Sequence, residues 1–156
     1  MGKIQQHKLV LFGAGKIGRS FIGQLFSLGG YEVVFIDVYK PLTDELNIRG
    51  NYNIIIKADE EEIINIKNVR AVYAGDEQKV VREVATAGIA AVSVGLNGLA
   101  KIFPILAKGL LERYRIDKNN AVDIIIAENL RDADALFLNE LTRYLPKTYP
   151  IERLVG

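Results

Sequence analysis

The chain has 156 residues, with 20 basic and 19 acidic side chains, a formal net charge of +1 and no cysteine. Apolar residues make up 49% and charged residues 25%, as in an ordinary soluble globular protein, so we expect residues 1–156 to form a single domain. The balanced charge gives no electrostatic reason to expect nucleic acid or an anionic membrane as a partner. The lack of cysteine excludes a disulfide framework, a thiolate metal site and a cysteine nucleophile, and a single histidine, His7, excludes a multi-histidine metal site.

Predicted strands and helices alternate along the chain. Short apolar or β-branched runs predict strands at residues 8–12, 33–36, 52–57, 63–73, 89–94, 122–127 and 151–155. Apolar residues at helical spacing predict a helix at 17–28. A short helix is predicted at 41–46, with Pro41 in its first turn, and further helices are predicted at 77–86, 99–113 and 131–145. The acidic run 59–62 predicts a solvated turn between two strands of a hairpin, and Pro104 is expected to be tolerated only near the start of its helix.

These elements predict an α/β fold. Strands that are apolar throughout, rather than in alternation, indicate a sheet buried on both faces, and the strand–helix alternation indicates parallel βαβ units. We therefore expect a doubly wound, mostly parallel sheet of about six strands between two layers of helices. Such sheets bind ligands beyond the carboxyl ends of their strands, where the strand order reverses.

The most informative motif is a glycine loop, Gly13-Ala14-Gly15-Lys16-Ile17-Gly18, between the first strand and the first helix. Gly13 would permit a tight turn, Gly15 would let a pyrophosphate approach the backbone, and Gly18 would let the helix pack close to the strand. The free N–H groups at the helix start would bind the phosphates. The loop therefore predicts a dinucleotide site.

Asp37 ends the second predicted strand, about 20 residues beyond the loop, where an acid typically accepts hydrogen bonds from the adenosine ribose. Its carboxylate would repel the 2′-phosphate of NADP, so we expect NAD as the cofactor, although Lys40 would partly offset the repulsion. No residue is assigned a catalytic or metal-binding role.

Longer segments of the sequence carry a resemblance to a known family. Residues 11–23 read LFGAGKIGRSFIG and residues 30–38 read GYEVVFIDV. Together with Leu46-Asn47, Tyr52, Val94-Gly95, Ala127-Glu128-Asn129 and residues 151–155, they resemble the N-terminal domain of the mannitol-1-phosphate 5-dehydrogenases, in the long-chain polyol dehydrogenase family. The usual Asn, Gly and Cys of that family are Lys16, Ser20 and Ala127 here.

The resemblance implies a Rossmann domain for an oxidoreductase that transfers hydride between a polyol phosphate and NAD. The phosphate cradle would be the glycine loop, and the adenosine end would be held by Asp37 and Val38. Gly95, Leu96 and Asn97 would line the nicotinamide half, with Glu128 and Asn129 beside the nicotinamide ribose. Asn97 with Gly98 would also suit an unaided turn, and Glu128 and Asn129 would also suit a helix cap.

The family's catalytic pattern, K-x4-N-x2-H in a C-terminal helical domain, does not occur in this sequence. We therefore expect a cofactor domain that does not turn over a polyol phosphate by itself. An NAD(H)-sensing module and the cofactor domain of a hexuronate or polyol reductase are the alternatives. A cofactor domain that is separated from the C-terminal helical domain leaves apolar surface exposed, so we expect a homodimer or weak self-association. The N-terminus lacks the apolar core of a secretion signal, which predicts a cytoplasmic protein.

Overall fold

The central element is a parallel sheet, seen in a computed structural model that describes residues 2–58 and 60–156. Five strands pair in the order β5-β2-β1-β6-β7, all in parallel, and β3 and β4 form a separate antiparallel hairpin. The strands are β1 (Gln5–Phe12), β2 (Glu32–Asp37), β3 (Asn51–Lys57), β4 (Glu61–Lys67), β5 (Val69–Tyr73), β6 (Ala87–Val92) and β7 (Asp123–Ile126). The predicted doubly wound α/β sheet is confirmed.

Helices cover both faces of this sheet. The first begins as a π-helical segment, Gly18–Gly23, and continues as α1. The α-helices are α1 (Gln24–Leu28), α2 (Lys40–Arg49), α3 (Glu77–Thr86), α4 (Leu96–Ile116), α5 (Ala133–Tyr144) and α6 (Ile151–Leu154). The prediction for residues 77–86 is confirmed to the residue, and Asp76 caps that helix by accepting a hydrogen bond from the Lys79 N–H.

Each face of the sheet has its own apolar core, and β1 contributes to both. Val10 and Phe12 pack with α3, α4 and α5, whereas Leu9 and Leu11 pack with the first helix, α2 and the hairpin. All four side chains are at most 2% exposed. This burial on both faces explains why the strand is apolar at every one of these positions.

The prediction of one strand over residues 63–73 is wrong. The segment divides at Asn68, which has a left-handed φ of 56°. β4 pairs with β3 in the predicted hairpin, while β5 leaves the hairpin to pair with β2 in the main sheet. In the predicted turn, Asp59 lies outside the described residues.

The last predicted strand, 151–155, is also wrong. Residues Ile151–Leu154 form the short helix α6, because the N–H of Leu154 bonds back to the carbonyl of Pro150. Only Val155 makes a parallel bridge, to Val122. The main sheet therefore has five strands rather than about six in the described part of the chain.

Pro104 lies well inside α4, which contradicts the expectation that it stays near the helix start. An interior proline costs about 3 kcal/mol. The helix tolerates it because its buried face, which includes Phe103, Leu106 and Leu110, packs against the sheet. Neither α4 nor any other helix in residues 2–58 and 60–156 is both long enough and apolar enough to cross a membrane.

A buried ion network ties the strands to α3 at the end opposite the glycine loop. Lys8 is 2% exposed, and its Nζ lies 2.9 Å from Glu83 and 2.5 Å from the Thr86 hydroxyl. Arg70 on β5 also donates to Glu83, at 2.7 and 2.9 Å. Burial favours protonation of Glu83, but the hydrogen bonds from Arg70 and Lys8 outweigh it and hold its pKa below the ordinary value.

Candidate functional site

The carboxyl ends of the parallel strands surround one large cavity. The chain leaves β1 for β2 on one side and later returns to place β6 on the other, so the strand order reverses between β1 and β6. The cavity has a volume of about 810 Å³. Its walls include the ends of β1, β2, β5 and β6 and one face of α4, which is the position that doubly wound sheets use for ligands.

The three glycines of the loop have distinct surroundings. Gly13 has a φ of 97°, and a Cβ there would overlap the carbonyl oxygen of Ser93 at the end of β6. A Cβ at Gly18 would overlap the carbonyl oxygen of Gly13. A Cβ at Gly15 would meet nothing within 4 Å, so the backbone there is open to the cavity that Gly15 lines.

Asp37 braces the glycine loop. One of its carboxylate oxygens accepts the Ala14 N–H at 2.8 Å, and the other accepts the Tyr39 N–H at 2.8 Å. Asp37 therefore holds the end of β2 against the loop that follows β1. Each carboxylate oxygen has a second lone pair, so Asp37 keeps the capacity to accept a ligand hydroxyl at the cavity wall.

Glu128 braces the loop after β6 in a similar way. One carboxylate oxygen accepts the Val94 N–H at 2.6 Å and the Gly95 N–H at 3.0 Å, and the other lies 3.1 Å from the Gly95 nitrogen. Gly95 has a left-handed φ of 75°. Glu128 thus fixes the loop before α4 rather than capping a following helix, because α5 begins only at Ala133.

Five of the predicted site residues line the cavity, namely Gly13, Gly15, Asp37, Val38 and Asn97. Asn97 lies in the first turn of α4, so it does not form an isolated turn. The other predicted residues do not line the cavity. Ala14 and Gly18 are buried, Glu128 is half-buried, and the exposed ones are Lys16, Ile17, Gly95, Leu96 and Asn129.

Two parts of the cavity wall are absent from the site predicted from the sequence. Tyr73, at the end of β5, and the next two residues, Ala74 and Gly75, line the cavity, and they went unrecognised because β4 and β5 were predicted as one strand. Lys101, Ile105 and Lys108 lie on α4. These residues follow Asn97 at intervals of three or four, which places them on the same face of the helix as Asn97. This spacing could have identified them as part of the site. Lys108 is paired with Glu77, another wall residue, at 2.6 Å.

The cavity lies where the strand order of the sheet reverses, and it is lined by the open backbone of Gly15 and the carboxylate of Asp37. This combination is typical of the nucleotide-binding domain of a dehydrogenase-like α/β protein. Comparison with known families gives a more specific result: residues 7–151 match the model of the mannitol dehydrogenase Rossmann domain. The chain belongs to this family. Its cofactor class is therefore a nicotinamide dinucleotide.

Relatives of known name are similar over most of this chain. Mannitol-1-phosphate 5-dehydrogenase of Lactococcus lactis subsp. cremoris (strain MG1363) is 37% identical over 139 residues, which cover 88% of this chain and 36% of the relative. That of Thermoanaerobacter pseudethanolicus is 37% identical over 135 residues, covering 86% of this chain and 34% of the relative. The chain thus spans about a third of the length of these relatives.

Among solved structures, a UDP-glucose dehydrogenase from Pyrobaculum islandicum superposes with a TM-score of 0.63. The match covers 90% of this chain and 33% of that protein, at 13% sequence identity. At this identity the likeness shows the fold alone.

The surroundings of Gly13 and Gly15 predict very different effects of alanine substitution on stability. Gly13→Ala combines a positive φ with an overlap against the Ser93 carbonyl, so it should lower the free energy of unfolding by about 2–3 kcal/mol. Gly15→Ala adds its methyl group to open space and should change that free energy by less than about 0.5 kcal/mol. Urea denaturation of both variants measures the difference, and equal losses would contradict the two environments described above.

Proposed function

We propose that this chain binds NAD and forms the cofactor half of a hydride-transfer site of the mannitol-1-phosphate 5-dehydrogenase type. The observation that carries the proposal is the open backbone at Gly15, which faces the same cavity as the Asp37 carboxylate. The relatives of that name, 37% identical over most of the chain, support the reaction type. The substrate itself remains part of the proposal.

The residues around the cavity suit a dinucleotide. The glycine loop, residues 13–18, opens the first helix, where free N–H groups and the positive end of the helix dipole favour phosphate. Asp37 and Val38 would hold the adenosine end at β2. Gly95, Leu96 and Asn97, at the start of α4, would line the nicotinamide half, with Asn129 nearby. Glu128 would act through its hydrogen bonds to the Val94 and Gly95 amides.

NAD rather than NADP is supported by the charges at the end of β2. The Asp37 carboxylate would repel a 2′-phosphate on the adenosine ribose. Lys40, the nearby cation that would offset this repulsion, has its Nζ 2.8 Å from both carboxylate oxygens of Asp44. The ion pair partly neutralises Lys40, so the local field favours the ribose hydroxyls of NAD.

When bound, the nicotinamide would accept or donate the hydride, and the protein would orient it and exclude competing reactions. The residues of this chain would contribute binding and orientation. Mannitol-1-phosphate 5-dehydrogenases are about three times as long as the segment that matches this chain. We propose that their proton-transferring group and polyol-phosphate site lie in the part of those enzymes that this chain does not match. The cytoplasm as the compartment stays a prediction from the sequence.

The proposal predicts saturable NADH binding, with a dissociation constant of about 1 µM to 1 mM, measured by fluorescence titration. NADPH should bind more weakly. Asp37→Asn removes the repelling charge and should shift the NADPH-to-NADH affinity ratio towards NADPH by about tenfold. Asp123→Asn, at the amino end of β7, is the matched control and should leave the ratio unchanged. Preferential NADPH binding by the wild type would refute the cofactor choice, and no NADH binding at millimolar concentration would refute the site.

The same titration tests where the phosphates lie. Gly15→Ala should weaken NADH binding about tenfold or more, because its methyl group would occupy the space through which the pyrophosphate approaches the backbone. Since this substitution is expected to preserve stability, weakened binding without unfolding separates a ligand contact from a folding defect. Unchanged affinity would place the phosphates elsewhere.

The 156-residue chain is expected to produce no NADH from NAD and mannitol 1-phosphate, because the sequence lacks the lysine pattern that the resemblance assigns to proton transfer. Absorbance at the NADH wavelength measures this, with a full-length mannitol-1-phosphate 5-dehydrogenase as the positive control. Sustained turnover by this chain would show that it carries its own catalytic group.

We also propose weak self-association. Ile17, Phe21 and Leu25 recur every four residues along the first helix and are 54–59% exposed, and such apolar stripes favour association. Phe21→Lys with Leu25→Lys should shift the sedimentation coefficient towards the monomer at high concentration. Ile48→Lys, on the separate helix α2, is the control. A wild-type monomer at every concentration would exclude the homodimer.

A further inference from the structure

The helix that follows the glycine loop is held from outside the sheet by the β3–β4 hairpin. The hydroxyl of Tyr52, on β3, donates a 2.6 Å hydrogen bond to the backbone carbonyl of Arg19. At the other end of this helix, the hydroxyl of Ser27 donates a 2.7 Å hydrogen bond to the carbonyl of Lys67 on β4. The hairpin therefore contacts the helix along its length, and Tyr52 contacts the end nearer to the cavity.

The turn that Tyr52 contacts has an unusual backbone. Residues Gly18–Gly23 are π-helical, a conformation that is rare and that occurs often at functional sites. A carbonyl oxygen has two lone pairs, so a carbonyl of this segment can accept a hydrogen bond from a donor outside the helix. Tyr52 supplies such a donor to Arg19, one residue after Gly18.

Packing holds Tyr52 in this position. Its ring meets the buried ring of Phe35 on β2 at a centroid distance of 6.0 Å. Gly23 leaves room for both rings, since a Cβ there would lie 2.7 Å from the Tyr52 hydroxyl oxygen and 2.8 Å from Phe35. Burial raises the pKa of Tyr52 above its ordinary range and outweighs the opposing effect of the Arg19 charge. The hydroxyl thus remains protonated and able to donate at neutral pH.

We propose that Tyr52 is a positioning residue for phosphate binding: its hydroxyl holds the π-helical turn at Arg19 and so sets the orientation of the amides in the glycine loop. Tyr52 itself does not line the cavity and acts through the helix. The inference rests on the proposed dinucleotide site. It adds that the hairpin, which is separate from the main sheet, contributes to the affinity for phosphate-bearing ligands.

The test compares ligands with and without phosphates. Tyr52→Phe keeps the ring but removes the donor, so ADP and NADH should bind about three- to tenfold more weakly, the factor expected for one hydrogen bond. Adenosine has no phosphate and would contact the residues at the end of β2 instead of the glycine loop. It should therefore bind to the variant and to the wild type with equal affinity. A defect that only reduced the folded fraction would lower the apparent binding of all three ligands equally.

Two variants serve as matched controls. Tyr31→Phe removes a hydroxyl from another tyrosine that packs against this helix, edge-on to Phe26. Ser27→Ala removes the hairpin hydrogen bond at the far end of the helix. Both should keep wild-type affinity for ADP and adenosine.

Hydrogen exchange of the wild type gives a second readout should Tyr52→Phe fail to fold. ADP should slow amide exchange in residues 16–24 and also in β3, whereas adenosine should affect neither. Protection by ADP of the loop alone, or equal weakening of ADP and adenosine binding in a folded Tyr52→Phe, would overturn the inference. If the wild type bound neither ADP nor NADH, the proposed function itself would fail, which is a distinct outcome.

Discussion

Direct contact between backbones at the glycine loop is the constraint on which the site depends. Gly13 lies against the carbonyl of Ser93, and Gly18 lies against the carbonyl of Gly13. These contacts bring the ends of β1 and β6 and the start of the first helix closer together than any side chain would allow. A Cβ would clash with backbone at Gly13 and Gly18 but not at Gly15, so Gly15 is the glycine of this loop with open space beside its backbone.

Two carboxylates extend this arrangement to the neighbouring loops. Asp37 accepts backbone N–H groups at the end of β2, and Glu128 accepts them after β6. Hydrogen bonds from amides to a charged acceptor are stronger than neutral ones, so the loops are held in place before any ligand arrives. The first helix is held in addition by Tyr52 from the hairpin. The site thus lies at the edge of the sheet and is stabilised by hydrogen bonds from three separate segments of the chain.

The sequence predicted the parts of the fold that depend on local patterns. The strand β1, the helix α3 and the position of the glycine loop between the first strand and the first helix were predicted correctly, because each is visible within about a dozen residues. The strand boundary at Asn68 was missed, since no glycine or proline separates two β-branched segments that pair with different partners. Residues 151–155 have strand-like composition, yet hydrogen bonds to the Pro150 carbonyl make residues 151–154 helical.

The sequence by itself determined the fold class, the glycine loop and the acid at the end of β2, since spacing along the chain encodes them. Only the tertiary structure showed that Glu128 bonds to the Val94 and Gly95 amides, more than 30 residues away. It also showed that α4 forms a wall of the cavity and that Tyr52 supports the first helix. Such contacts join side chains to backbone groups of distant segments. Their partners follow from how the helices and the hairpin pack on the sheet, which no local pattern specifies.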